Sequence, residues 1–74
     1  MFYWRTKQQL GSVLKKKRIE LGFSQEYISL EIATDRMGLS ALENGKANPT
    51  LFTLLKLSGV LHVKLWEVLR EINV

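Results

Sequence analysis

The feature that most constrains this chain is its punctuation. Apolar residues recur at helical spacing in successive short stretches, several of them preceded by a helix-capping residue, and strand-type alternation is not found. Thr6, with Gln9 three residues on, reads as a capping box that opens a first helix after an N-terminal extension over residues 1–5. Leu10, Val13, Leu14 and Leu21 then recur at helical spacing, and Gly22 is a C-terminal stop because glycine tolerates positive φ. Ser24 caps a second helix from Gln25 to about Ile32, with Ile28 and Ile32 inward and Tyr27 beside them. Ala33-Thr34 is the connection. Asp35 caps a third helix, Arg36 to about Glu43, that buries Leu39 and Leu42 and ends at Asn44-Gly45. After a loop from Lys46 to Pro49, Thr50 caps a fourth helix to about Leu61. Its expected inward stripe is Leu51, Leu54, Ser58 and Leu61, and Gly59 inside it costs about 1 kcal/mol against alanine. A fifth helix is expected from about Lys64 to Ile72, with Leu65, Val68, Leu69 and Ile72 inward. The expected fold is all-α, a compact orthogonal five-helix bundle forming one domain over residues 1–74.

Composition narrows the function classes. The 74 residues support only a small core, to which dimerisation would add buried surface. Eleven Lys and Arg against seven Asp and Glu give +4, which suits a polyanion whose condensed counterions are released on binding, although a basic solvated surface explains the charge equally well. There is no cysteine, hence no disulfide framework and no thiolate metal site. The lone His62 has too few partners for a zinc site. No apolar run approaches the ~20 residues of a membrane span, and the aromatic start, Met1 to Arg5, lacks the apolar stretch of a signal peptide. The expectation is a cytoplasmic, nucleoid-associated protein with no cofactor, metal, membrane partner or small-molecule substrate. Isolated hydroxyls at Ser12, Ser24, Ser29, Ser40 and Ser58 have no evident base and support no enzyme.

The second and third helices, each about two turns long and joined at Ala33-Thr34, form a helix-turn-helix pattern over about residues 24–43. In that pattern the second helix of the pair enters the DNA major groove. The run Ser24-Gln25-Glu26 after Gly22-Phe23, then Leu42-Glu43-Asn44-Gly45-Lys46, then Asn48-Pro49-Thr50, resembles the Cro/C1-type (Xre) helix-turn-helix family. Lys15-Lys16-Lys17-Arg18-Ile19-Glu20-Leu21-Gly22 is similar to the first helix of lambdoid phage repressors, and the Asp35-Arg36 pair and the length resemble restriction–modification controller proteins. The resemblance covers roughly Leu10 to Leu69 and implies a lambda-repressor-like fold that binds double-stranded DNA. By position it implies phosphate contacts from Gln25, Asn44 and Lys46, against the plainer readings of an exposed first-turn residue and a solvated loop lysine. It also implies a structural ion pair between Arg18 and Glu43. Arg36, Met37, Ser40 and Ala41 occupy the outward face that would read bases: Arg36 by pairing with guanine or gripping phosphate, Met37 and Ala41 on a thymine methyl, Ser40 by either hydrogen-bonding role. Asp35 is a cap first and a partner for Arg36 second.

Three positions depart from the family. Ala33 stands where glycine is usual, and a left-handed alanine stores about 1–2 kcal/mol. His62 likewise replaces the glycine expected after the fourth helix. Gly38 weakens the recognition helix by about 1 kcal/mol, and it either lets that helix approach DNA closely or marks a weak reader, so phosphate contacts and DNA shape are expected to contribute heavily. Phe52 and Val60 fall off the fourth helix's stripe and Trp66 off the fifth's. With Ile72 they are the expected interface of a two-fold homodimer, against the alternative that Trp66 folds back on Phe2 to Trp4. The functional expectation is a bacterial or phage-encoded transcriptional regulator on a palindromic operator, a controller protein or phage-type repressor, with RNA polymerase as a further partner. The alternative is an antitoxin-like interaction module that binds DNA weakly.

Overall fold

Three of the helices begin where a side chain takes up an orphan backbone N–H. Ser24 Oγ accepts from the amide of Tyr27 at 3.0 Å, Asp35 Oδ1 from Gly38 at 2.8 Å and Thr50 Oγ1 from Thr53 at 3.1 Å, each a cap of about 1 kcal/mol. The computed structural model describes residues 3–72 and places five helices there: α1 (Tyr3–Glu20), α2 (Gln25–Glu31), α3 (Arg36–Glu43), α4 (Leu51–Val60) and α5 (Leu65–Arg70). No strand occurs among the described residues, as the all-α reading expected. The start of α5 relies on Glu67, whose carboxylate accepts from the backbone N–H of Lys64 at 3.0 Å.

The first four helices end alike. At each, the residue after the C-cap is left-handed and two amides turn back onto helix carbonyls, the Schellman pattern. Gly22 donates to Ile19 and Phe23 to Arg18; Ala33 to Leu30 and Thr34 to Ser29; Gly45 to Leu42 and Lys46 to Ala41; His62 to Gly59 and Val63 to Ser58. The left-handed residues are Gly22 (φ +76°), Ala33 (+54°), Gly45 (+74°) and His62 (+58°). The strain expected of a left-handed Ala33 is therefore present, and His62 carries its equivalent.

The tight turns fold the helices around one apolar centre. Leu10 and Leu14 of α1 meet Ile28 and Ile32 from α2, Leu39 and Leu42 of α3, Leu57 and Leu61 from α4, and Val68 of α5. The described part measures 33 × 22 × 21 Å. No helix among the described residues is long and apolar enough to cross a membrane.

Four expectations need correction. Thr6 lies inside α1 rather than at its start, and Tyr3 to Arg5 are helical rather than an extension; no glycine or proline interrupts the backbone upstream, so the helix propagates past the Thr-x-x-Gln spacing. In α4 the inward residues are Leu57, Ser58 and Leu61, whereas Leu51 is 65% exposed. Leu51, Phe52, Leu54, Leu55, Leu57 and Val60 place apolar groups on every side of that helix, so periodicity alone does not select the buried face. Leu69 of α5 is also exposed. Ile72 follows α5 instead of ending it and tucks inward to 7% exposure, which withdraws it from any surface for a second copy.

Candidate nucleic-acid interface

The α2–turn–α3 unit is the helix-turn-helix, and α3 divides cleanly by face. Leu39, Leu42 and Glu43 are buried, while Arg36 and Met37 are exposed and Ser40 and Ala41 half-buried. Met37 is 81% exposed, an unusual position for a large apolar side chain. Asp35 is committed to its cap on Gly38. A Cβ on Gly38 would stand 2.5 Å from that same capping oxygen. That oxygen is the mobile end of the Asp35 side chain, and Ser24 and Thr50 hold the same cap on Tyr27 and Thr53, so the cap does not by itself require glycine.

Behind α3 sits a polar cluster. Arg18 Nε donates to Glu43 Oε2 at 2.7 Å and Nη2 to Oε1 at 3.0 Å, a bidentate pair whose side chains are 12% and 3% exposed. Arg18 Nη1 donates to the carbonyl of Phe23 at 2.8 Å, and Gln25 Nε2 donates to Glu43 Oε1 at 3.0 Å. One arginine thus ties α1 to the end of α3 and to the turn before α2. Its planar fork suits this three-way role, which a lysine could not fill. Gln25 itself is half-buried, with its amide nitrogen turned inward onto Glu43.

Beyond α3, Asn44 and Lys46 are exposed on the segment leading to α4, and Asn44 Nδ2 approaches Ser40 Oγ at 3.4 Å. Gln25, Arg36, Met37, Ser40, Ala41, Asn44 and Lys46 therefore all lie on the α2–α3 unit and the loop that follows it. One residue that fixes this arrangement escaped the sequence reading. Gly11 of α1 is buried, and a Cβ there would overlap the carbonyl oxygen of Leu42 and stand 2.6 Å from that of Glu43. At Gly45 a Cβ would be 2.7 Å from Gln8 Cα. The backbone of α1 thus lies directly against the end of α3. The only hint in the sequence was a glycine within an otherwise good helical stretch.

The residues expected at a dimer surface separate. Phe52 is 77% and Trp66 56% exposed, with the Arg70 guanidinium 5.2 Å from the Trp66 ring centre. Val60 is half-buried and packs on the core, and Ile72 is buried as described. The alternative packing of Trp66 on the N-terminus involves Phe2, outside the described residues, and Trp4, which is half-exposed beside Arg5. Leu51, Leu55 and Leu69 add exposed apolar surface on the same two helices.

This geometry is shared with known proteins. Residues 14–66 match the family described as Helix-turn-helix. A control protein from Mycoplasma sp., C.MunI, is 40% identical over 68 residues, which span 90% of this chain and 92% of that protein. An uncharacterized HTH-type transcriptional regulator from Sinorhizobium fredii, y4dJ, is 39% identical over 59 residues, 76% of this chain and 77% of its own length. Among solved structures, the restriction-modification controller protein C.AhdI from Aeromonas hydrophila superposes with a TM-score of 0.79 at 30% identity, covering 82% of this chain and 92% of that one. A point mutant of the restriction-modification controller protein C.Esp1396I gives 0.77 at 27% identity, covering 96% and 91%.

Proposed function

The chain belongs to the Cro/C1-type helix-turn-helix family, and from that premise we propose that it regulates transcription as a homodimer on a palindromic DNA operator, in the manner of a restriction–modification controller protein. The division of α3 carries the reading: its inner residues are fixed by the core and the Arg18–Glu43 pair, while its outer face is left free for a groove. Arg36, Met37, Ser40 and Ala41 are the base readers. Gln25, Asn44 and Lys46 grip phosphate and set the register of the protein on the duplex. The names of C.MunI, C.AhdI and C.Esp1396I, each matched over about nine-tenths of its chain, favour the controller subtype. Phe52 and Trp66, with the rim of Val60, are the dimer surface, and two copies related by a two-fold axis would present their α3 helices about 34 Å apart, one DNA turn. RNA polymerase is the further partner through which such a regulator would activate.

The test is binding to fragments of the DNA upstream of the protein's own gene, with random duplex as competitor and salt varied. Retention that resists the competitor and falls steeply with salt supports the reading. Equal, weak binding to both duplexes defeats it. Sedimentation at several concentrations, with and without DNA, decides the dimer: a monomer mass throughout removes it.

A further inference from the structure

Helix α2 is held at both ends by cations from outside the helix-turn-helix. Arg18 of α1 donates to the Phe23 carbonyl before it, and Lys56 of α4 donates from Nζ to the Ile32 carbonyl at its exit, at 3.3 Å. The first of these belongs to the cluster already described. The second joins α4 to the exit of α2, 24 residues earlier in the chain, and is not among the DNA contacts proposed above.

The carbonyl concerned is at a sensitive point. Ile32 is the C-cap of α2, with φ −100° and ψ 8°, and the next residue is the left-handed Ala33. The Schellman amides of Ala33 and Thr34 go to Leu30 and Ser29, so neither satisfies Ile32. A helix C-terminus also carries partial negative charge, which a cation stabilises. Lys56 thus supplies both a donor and a positive charge where the backbone stores strain, immediately before the residues that aim α3. Ile32 itself is fully buried in the core, so a shift of its carbonyl is transmitted to the packing beneath α3 rather than absorbed by solvent.

From this geometry we infer that Lys56 is a positioning residue for DNA recognition. It contacts no DNA; it braces the α2–α3 turn against α4 and so holds the recognition helix at its working angle. The role rests on the DNA-binding reading above. It distinguishes Lys56 from Lys46, whose place is on a phosphate.

The test compares Lys56→Met, which keeps the aliphatic stem and removes the charge and donor, with Lys56→Arg. The probes are a duplex enriched from a random-sequence pool by the wild-type protein, and an unselected duplex. Lys56→Met is expected to lower the ratio of selected to unselected affinity by roughly 3- to 10-fold, the range that one net hydrogen bond represents, with the salt slope unchanged. In the free protein, the amides of Ala33 and Thr34 should exchange faster by a similar factor, as a loosened turn requires. Lys56→Arg should restore both. A salt slope reduced by about one would mean that Lys56 itself holds a phosphate, and would overturn the inference. So would an unchanged affinity ratio, or a loss of thermal stability with unchanged exchange at the turn. If the wild type enriches no duplex at all, the DNA-binding reading fails first; if it does and Lys56→Met matches it, the brace alone fails.

Discussion

The C-terminal ends of α2 and α3 have the same hydrogen-bond pattern in opposite surroundings. At α3 the left-handed residue is Gly45, pressed against the backbone of Gln8, with Gly11 and the Arg18–Glu43 pair close by. At α2 it is Ala33, exposed. Gly22, also exposed, has nothing within 4 Å of where a Cβ would stand. The turn geometry therefore does not by itself demand glycine, since alanine and histidine both adopt it here at a cost. What demands glycine is the turn together with a neighbouring backbone, and that combination occurs at the end of α3.

The sharpest way to break this contrast is to remove the charge pair on the crowded side. Glu43→Ala leaves Arg18 without its partner in a largely buried site and is expected to cost about 3–5 kcal/mol in urea denaturation. Gly45→Ala follows, because it adds about 1–2 kcal/mol of left-handed strain to an overpacking cost of about 1–3 kcal/mol against Gln8. Gly11→Ala meets only the second of these costs, about 1–3 kcal/mol, from its approach to the Leu42 and Glu43 carbonyls. On the open side, Gly22→Ala should lose only the strain, less the entropy that alanine removes from the unfolded chain, a net cost of up to about 1 kcal/mol. Ala33→Gly should reverse the sign and stabilise by up to about 1 kcal/mol, relief of strain less the entropy that glycine adds to the unfolded chain. A loss at Gly22 as large as that at Gly45 would show that crowding is not what separates the two ends.

Local chemistry was the legible part of this molecule. Ser24, Asp35 and Thr50 cap because a turn or loop precedes each and leaves the amide three residues on without a helical acceptor, a condition Thr6 inside α1 lacks, and the bounds of α3 followed directly. The inner pair Leu39 and Leu42 was readable because, Met37 apart, α3 has polar or small residues on its other side. In α4 that contrast is missing, and the choice of Leu57 over Leu51 is made by α2 and α5, which no local pattern encodes. Gly11 was opaque for a related reason: its requirement comes from carbonyls more than thirty positions away. Within the candidate site, the sequence could name the outward residues of α3. It could not show that Gln25 shares Glu43 with Arg18.

The separation of faces on α3 also bears on how such a protein can change over generations. Asp35, Leu39, Leu42 and Glu43 hold the helix in place, and none of them is among the residues proposed to read bases. Exposed positions such as Arg36 and Met37 are of the kind where substitutions usually alter stability by no more than about 0.5 kcal/mol. If that face reads bases as proposed, the preferred sequence can drift while the scaffold stays intact, so that descendants of one ancestral chain could address different DNA sites without first having to reinvent the fold.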